Sequence, residues 1–267
     1  DAKFQPLAAR RGCDRADDAA IVQHLRRSGV IPGGLPAAAG VSLVEDQHPA
    51  RVRIDVELQP PGRVDGLVID LNRDPEGKPL YPGASNTELC PLGTFADGPV
   101  YRPGQEPGAA EVARRIEEHW RPYHAALAAE LARVRARFGI AVLWDAHSIV
   151  SRAPRFFDGV LPDFDLGTAD GASCDPGLAS RVESILAAAP GFTSVHNGRF
   201  KGGYITRRYG RPGEGVHALQ LEMAQSAYMV EGPPFAWDHD RAGRVRPVVR
   251  ACLEACLDWA RRRAAAQ

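Results

Sequence analysis

The stretch Ile140-Ala-Val-Leu-Trp-Asp-Ala-His-Ser148 sets a short continuous apolar run against an acid and an imidazole two residues apart. Such a run marks a strand buried on both faces, as in the parallel sheets of α/β proteins. The strand is expected over 140–144, with Trp144-Asp-Ala-His-Ser148 where it runs out. Ligand crevices of open α/β sheets lie outside the carboxyl ends of their strands. Residues i and i+2 of a strand share a face, so Asp145 and His147 point the same way. An acid beside an imidazole suits metal ligation or proton transfer. Standing alone, the pair fits a satisfied polar contact at a strand end equally well.

Working outward, Leu67-Val-Ile-Asp-Leu71 has a short buried-strand pattern, and residues 75–107 form a long loop dense in Pro and Gly. Residues 111–138 predict a helix, acidic early and Arg-rich late, stopped by Gly139 and kinked or split by Pro122. A second long loop is expected over 148–175, then a helix over 178–189 and a strand at Thr193-Ser-Val-His196. Val216-His-Ala-Leu-Gln-Leu-Glu-Met-Ala224 is another buried strand, and 245–266 a closing amphipathic helix. Strands alternating with helices predict a single α/β domain, its sheet mainly parallel or mixed, twisted, and covered by helices on both faces.

Residues 1–66 differ: they are rich in Ala, Arg, Gly and Pro and weakly periodic. A helix over 17–27, with Ile21, Val22 and Leu25 on one face, and strands at Val41-Ser-Leu-Val44 and Val52-Arg-Ile-Asp-Val56 are the elements they suggest.

The 267 residues carry 33 basic and 33 acidic side chains, which gives no electrostatic reason to expect nucleic acid or an anionic membrane as partner. No apolar run approaches the ~20 residues that cross a bilayer, and the first residues lack the apolar core of a secretory leader. Cys13, Cys90, Cys174, Cys252 and Cys256 are odd in number, widely spaced and free of any C-x-x-C, the pattern of reduced thiols in a cytoplasmic protein. Cys252 and Cys256, one helical turn apart, should face the core together. Neither H-E-x-x-H nor G-x-S-x-G occurs, so those two hydrolase classes have no support.

Glu222 interrupts the otherwise apolar Leu219-Gln-Leu-Glu-Met223. A buried carboxylate is either paired or shifted upward in pKa, and a shifted one can act as a general base. Asn72 and Arg73 follow the first strand pattern, and a guanidinium fork beside an amide suits a carboxylate, though a surface turn would look the same. Arg199-Phe-Lys-Gly-Gly-Tyr-Ile-Thr-Arg-Arg-Tyr-Gly210 joins four basic residues to two Tyr and three Gly, a combination suited to a small anion and lacking the phosphate-loop pattern. His119 and His124 read as structural. His196 and His217, on short strands, fit either the site or the core.

Taken in order, Asp70-Leu-Asn-Arg-Asp-Pro75, Leu80-Tyr-Pro-Gly83, Leu89-Cys-Pro91, Trp144-Asp-Ala-His-Ser148, Leu166-Gly-Thr-Ala-Asp-Gly171, Asn197-Gly-Arg-Phe-Lys-Gly-Gly-Tyr-Ile-Thr206 and Gln220-Leu-Glu-Met223 resemble the N-formylglutamate amidohydrolases, or N-formylglutamate deformylases. The resemblance covers residues 67–260 and implies a fold like that of the zinc carboxypeptidases and aspartoacylases. It implies hydrolysis of N-formyl-L-glutamate to formate and glutamate with Zn2+ as cofactor, a step of histidine breakdown. It makes His147 a zinc ligand supported by Asp145, and Glu222 the general base and proton shuttle. Asn72 and Arg73 would hold a substrate carboxylate, with Arg199, Lys201, Tyr204, Arg207 and Arg208 as further anion contacts.

One departure stands out. The family opens with an apolar strand ending in a Pro-His-Ser-Gly-like motif whose His binds zinc, with an acidic ligand soon after. Here the histidines before Asn72 are His24 and His48, and neither context matches. His48, beside Glu45 and Asp46, is the local cluster able to stand in as a metal ligand. Residues 1–66 thus read as a divergent, rebuilt or frame-shifted segment ahead of a family-like core. The alternative functions are a metal-free protein that binds acidic small molecules, and another N-acyl amino acid deacylase or carboxypeptidase.

Overall fold

The computed structural model describes the backbone of Ile21–Leu25, Ser42–Glu45 and Val52–Val56, and residues 67–266 apart from 84, 96, 97 and 234. Its strands are β1 (Ile21–Leu25), β2 (Ser42–Glu45), β3 (Val52–Val56), β4 (Ala141–Ile149), β5 (Phe164–Gly167), β6 (Ser194–His196) and β7 (Val216–Ala224). Five of them form one sheet in the order β1-β4-β7-β5-β6, and β2 pairs with β3 separately. β4 runs parallel to both β1 and β7, whereas β5 is antiparallel to β7 and parallel to β6. The sheet is mixed, as the sequence allowed.

Alternation along the strands divides the core in two. Val142, Trp144 and Ala146 of β4, Phe164 and Leu166 of β5, and Leu219 and Leu221 of β7 face one side. There they pack on α3 (Pro176–Ala187) and α5 (His239–Ala264) through Leu178, Val182, Leu186, Val245, Cys252 and Cys256. Ala141, Leu143, Val216 and Ala218 face the other side, against Leu127, Leu131 and Val134 of α2 (Arg121–Phe138) and Ile205 of α4 (Tyr204–Tyr209). Each Val, Leu, Ile or Phe side chain so buried contributes roughly 1.5–3 kcal/mol. Burial drives the Cys174 and Cys252 thiols up to about 12 and that of Cys256 well above its ordinary range, so these three are packing groups.

Local chemistry explains the helix boundaries. α1 (Ala109–Arg115) runs into a π turn, Ile116–Trp120, which hands over to α2 with Pro122 in its first turn. Proline has no N–H to continue the i→i−4 ladder, and the wider turn just before it absorbs the interruption. Gly139 ends α2 at φ 75°, a left-handed position, with its N–H donated to the Arg135 carbonyl. Asp175 and Asp238 cap α3 and α5 by accepting from the backbone N–H groups of Gly177 and Leu178, and of Asp240 and Arg241.

Four expectations are corrected. Residues 21–25 are a strand paired with β4, not part of a helix; tertiary pairing outweighs the helical spacing, and β-branched Ile21 and Val22 favour it. Leu67-Val-Ile-Asp-Leu71 is irregular: Asp70 Oδ1 accepts from Asn72 N–H at 2.8 Å, and the Asp70 carbonyl accepts from Arg73 N–H at 3.2 Å, closing a turn. β4 does not stop at Trp144 but carries Asp145 and His147 within it, and the supposed loop 148–175 contains β5. The His48 candidate lies outside the described residues.

His217, on the α5 side of β7, is a structural histidine. Its Nδ1 accepts from Asp175 N–H at 3.1 Å, and its ring meets Trp259 edge-on at 4.6 Å. Burial pulls its pKa from 6.5 to about 4, against a smaller upward pull from Asp175. The unfolded chain therefore takes up this proton before the folded one does. The associated stability is present above pH 6.5 and lost as pH falls toward about 4, some ~3 kcal/mol in all. Urea unfolding of His217→Gln should show a shallower loss of stability across that window than the parent chain.

Candidate functional site

β4 and β7 run in register, so Asp145 lies opposite Gln220 and His147 opposite Glu222. On the far side of β7, Asp165 of β5 lies opposite Glu222. These side chains share the face that α2 and α4 cover lower down, and all five residues are buried. The sheet thus brings three carboxylates, an amide and an imidazole together in one buried patch.

Each member is held by hydrogen bonds. His147 Nε2 lies 2.7 Å from Asp145 Oδ1 and 3.2 Å from Asn72 Nδ2. The carboxylate is acceptor-only when ionised, so Nε2–H donates to Asp145 and the Asn72 amide packs beside it. Thr206 donates to the other Asp145 oxygen at 3.4 Å. Gln220 Nε2 donates to Glu222 Oε2 at 3.2 Å, and Gln220 Oε1 accepts from Gly203 N–H at 2.6 Å. Asp165 accepts from Gly198 N–H at 3.1 Å and Phe200 N–H at 2.8 Å, and these donors counter the upward push of burial on its pKa.

Glu222 is the most perturbed of the group. Burial raises its pKa to about 7; Asp145 and Asp165 add to the rise, while His147 and Arg73 oppose it. A carboxylate poised near neutrality can take up and return a proton at working pH.

Asn72 comes from the irregular segment after residue 67 and is fixed by the start of α4, where Ile205 N–H donates to its Oδ1 at 2.8 Å. Gly203 is essential to that approach, since a Cβ there would overlap the Asn72 amide.

Most other expected contacts fall nearby in a different arrangement. Arg73 Nε and Nη2 both donate to Thr87 Oγ1, at 3.1 and 2.7 Å, on the wall of a cavity of about 350 Å³. Arg199 and Arg207 lie over the ring of Tyr81. The Lys201 ammonium turns away to Asp170 at 2.9 Å. Tyr204 packs on Trp120 and His124 and interacts with Arg208, so neither enters the carboxylate network. His196 bonds Thr168 and Glu183, and His124 bonds Tyr209 and the Leu71 carbonyl, both away from it.

Asp165, Gln220 and Thr206 were not foreseen as site residues. Gln220 had a local signal, being two residues before Glu222 on the same face of an apolar strand. Asp165, between Phe164 and Leu166, carried the same signal in shorter form.

The donors suit a metal in part. With Nε2–H given to Asp145, Nδ1 is the lone-pair nitrogen, the arrangement in which a carboxylate-supported imidazole coordinates a metal. Among the described residues no group of three or more His, Cys, Asp or Glu forms a metal cage, whereas catalytic zinc normally has three protein ligands. His147 is the imidazole of this cluster, and the described residues do not complete a metal site.

Fold and site together define an α/β protein with a high-pKa glutamate beside a carboxylate-backed imidazole, a pairing suited to proton transfer. A model of the N-formylglutamate amidohydrolase family matches residues 62–229. The chain is 55% identical over 196 residues to an N-formylglutamate deformylase of Pseudomonas aeruginosa, covering 73% of each protein. It is 52% identical over 193 residues to one of Pseudomonas putida, covering 72% of each. The crystal structure of an N-formylglutamate amidohydrolase from Ralstonia eutropha superposes with a TM-score of 0.59 at 32% identity, over 74% of each chain. An Agrobacterium tumefaciens gene product at 18% identity and TM-score 0.50, over 71% of this chain and 67% of that one, shares the fold. The chain belongs to the N-formylglutamate amidohydrolase family.

Gly203→Ala should push the Asn72 amide aside and break the Gly203–Gln220 hydrogen bond. A destabilisation of roughly 1–3 kcal/mol is expected, read as a lower thermal midpoint. An unchanged midpoint would mean that the segment yields without strain.

Proposed function

We propose that this chain hydrolyses N-formyl-L-glutamate to formate and L-glutamate in a zinc-dependent reaction in the cytoplasm. The observation that carries this reading is Glu222: buried, with a pKa near 7, and in register with the Asp145-supported His147. The names of the Pseudomonas relatives support the substrate. Among the described residues no helix is long and apolar enough to cross a membrane.

In this mechanism Glu222 takes a proton from the attacking water and returns it to the departing amine nitrogen. Gln220 holds the Glu222 carboxylate in place, and Asp145 fixes the orientation and tautomer of His147. Zinc, bound through His147 with further ligands from outside the described residues, would polarise the formyl group and make the water more acidic. Asn72 and Arg73 sit beside this centre and supply donors for a substrate carboxylate.

The test is formate release from N-formyl-L-glutamate, measured after chelation and again after zinc is restored. Turnover should disappear and return. If neither formate nor retained zinc is found, the chain is a binding protein that kept its pocket without a catalyst. Glu222→Gln should reduce turnover by at least ~10²-fold while leaving zinc content unchanged; loss of the metal with that change would remove Glu222 from its shuttle role.

A further inference from the structure

The loop over 75–107 reaches the site through Tyr81. The backbone there is closed by Asn86, whose Oδ1 accepts from Tyr81 N–H at 3.0 Å and whose Nδ2 donates to the Tyr81 carbonyl at 2.8 Å. Two guanidinium groups lie over the ring, Arg199 with Cζ 4.8 Å and Arg207 with Cζ 5.8 Å from its centroid. Both are anchored, Arg199 Nε to the Phe156 carbonyl at 2.7 Å and Arg207 Nε to the Gly202 carbonyl at 2.9 Å. The phenolic oxygen accepts from Lys201 N–H at 3.2 Å. A phenol that accepts one hydrogen bond still has its own proton to donate. Among the described residues, no acceptor for that proton is found.

The phenol also feels the charge of Glu222, and the Lys201 N–H that it accepts from lies two residues before the Gly203 N–H that holds Gln220. Burial raises its pKa more than the two arginines lower it, so it stays protonated and a donor at neutral pH. Its neighbours Leu80 and Asn86 line the same cavity of about 350 Å³ as Arg73 and Thr87. A dicarboxylate entering that cavity needs two sets of donors. Arg73, on its wall, supplies one.

We propose that Tyr81, flanked by Arg199 and Arg207, is the second, and that its O–H donates to the side-chain carboxylate of an N-acyl acidic amino acid. This assignment rests on the deformylase reading above. It makes Tyr81 a specificity-determining residue that separates an acidic side chain from its neutral isostere. A hydrogen bond to a charged partner has the strength to do so, and the cationic rim favours the anion.

The test is calorimetric titration of N-formyl-L-glutamate and N-formyl-L-glutamine, in a Glu222→Gln background so that neither ligand is consumed. Tyr81→Phe keeps the ring beneath the two arginines and removes only the O–H. It should weaken N-formyl-L-glutamate by about ten-fold or more and leave N-formyl-L-glutamine within about two-fold, at an unchanged thermal midpoint. Equal loss for both ligands would show Tyr81 to be a loop anchor. No loss for either, or no binding of either before the Tyr81 change, would also overturn the subsite. Formate release by the unsubstituted chain reads the deformylase activity separately. A chain that releases none yet shows the Tyr81-dependent preference would lose that activity and keep this subsite.

Discussion

Three carboxylates buried side by side on one sheet face repel one another and lack the water that would solvate them. Asp145, Asp165 and Glu222 are in that position, and the chain around them is arranged to offset it. Each is treated differently. Asp145 is matched with the His147 imidazole, Asp165 with backbone N–H donors from the 198–200 turn, and Glu222 with the weaker Gln220 amide. The carboxylate with the poorest compensation has the pKa near neutrality. The difference in solvation among three like groups is what makes one of them suited to move a proton.

That arrangement explains features that otherwise look arbitrary. Had β5 paired with β7 in the parallel sense, the segment entering the sheet at Phe164 would have come from the opposite end. The antiparallel register sets Asp165 against Glu222 and aligns Phe164 with Met223. The 197–203 segment crosses this edge with its N–H groups inward, toward Asp165, Tyr81 and Gln220. Backbone donors serve buried anions well because they bring no long side chain to be ordered. Lys201 shows the division of labour: its N–H meets Tyr81 while its ammonium stays on the surface with Asp170.

The sequence was legible where burial leaves a pattern along the chain. The boundaries of β7 are visible because, His217 apart, the residues on both faces are apolar or small until Gln220 and Glu222 break the rule. Asp145, His147 and Glu222 stand out for the same reason, as polar groups in apolar company. β4 runs past the point where its apolar pattern ends, because partners from residues 72 and 206 meet its polar residues inside the protein. β5 is too short to show a period inside a loop-like stretch. Leu67-Val-Ile-Asp-Leu71 looks like a strand, but the Asp70 side chain offers its backbone a turn. Tyr81 stands in the Leu80-Tyr-Pro-Gly83 stretch, but nothing along the chain points to the Lys201 N–H, 120 residues away, that its phenol accepts from.

Trp144 immediately precedes Asp145 and faces the opposite side of the same strand. It is fully buried, and its indole Nε1 is the one buried side-chain polar atom among the described residues without a hydrogen-bond partner. A fully buried indole emits at the blue end of the tryptophan range. The strand that carries Asp145 and His147 thus has a native optical marker on its back, placed to report when water first enters the sheet beneath the site.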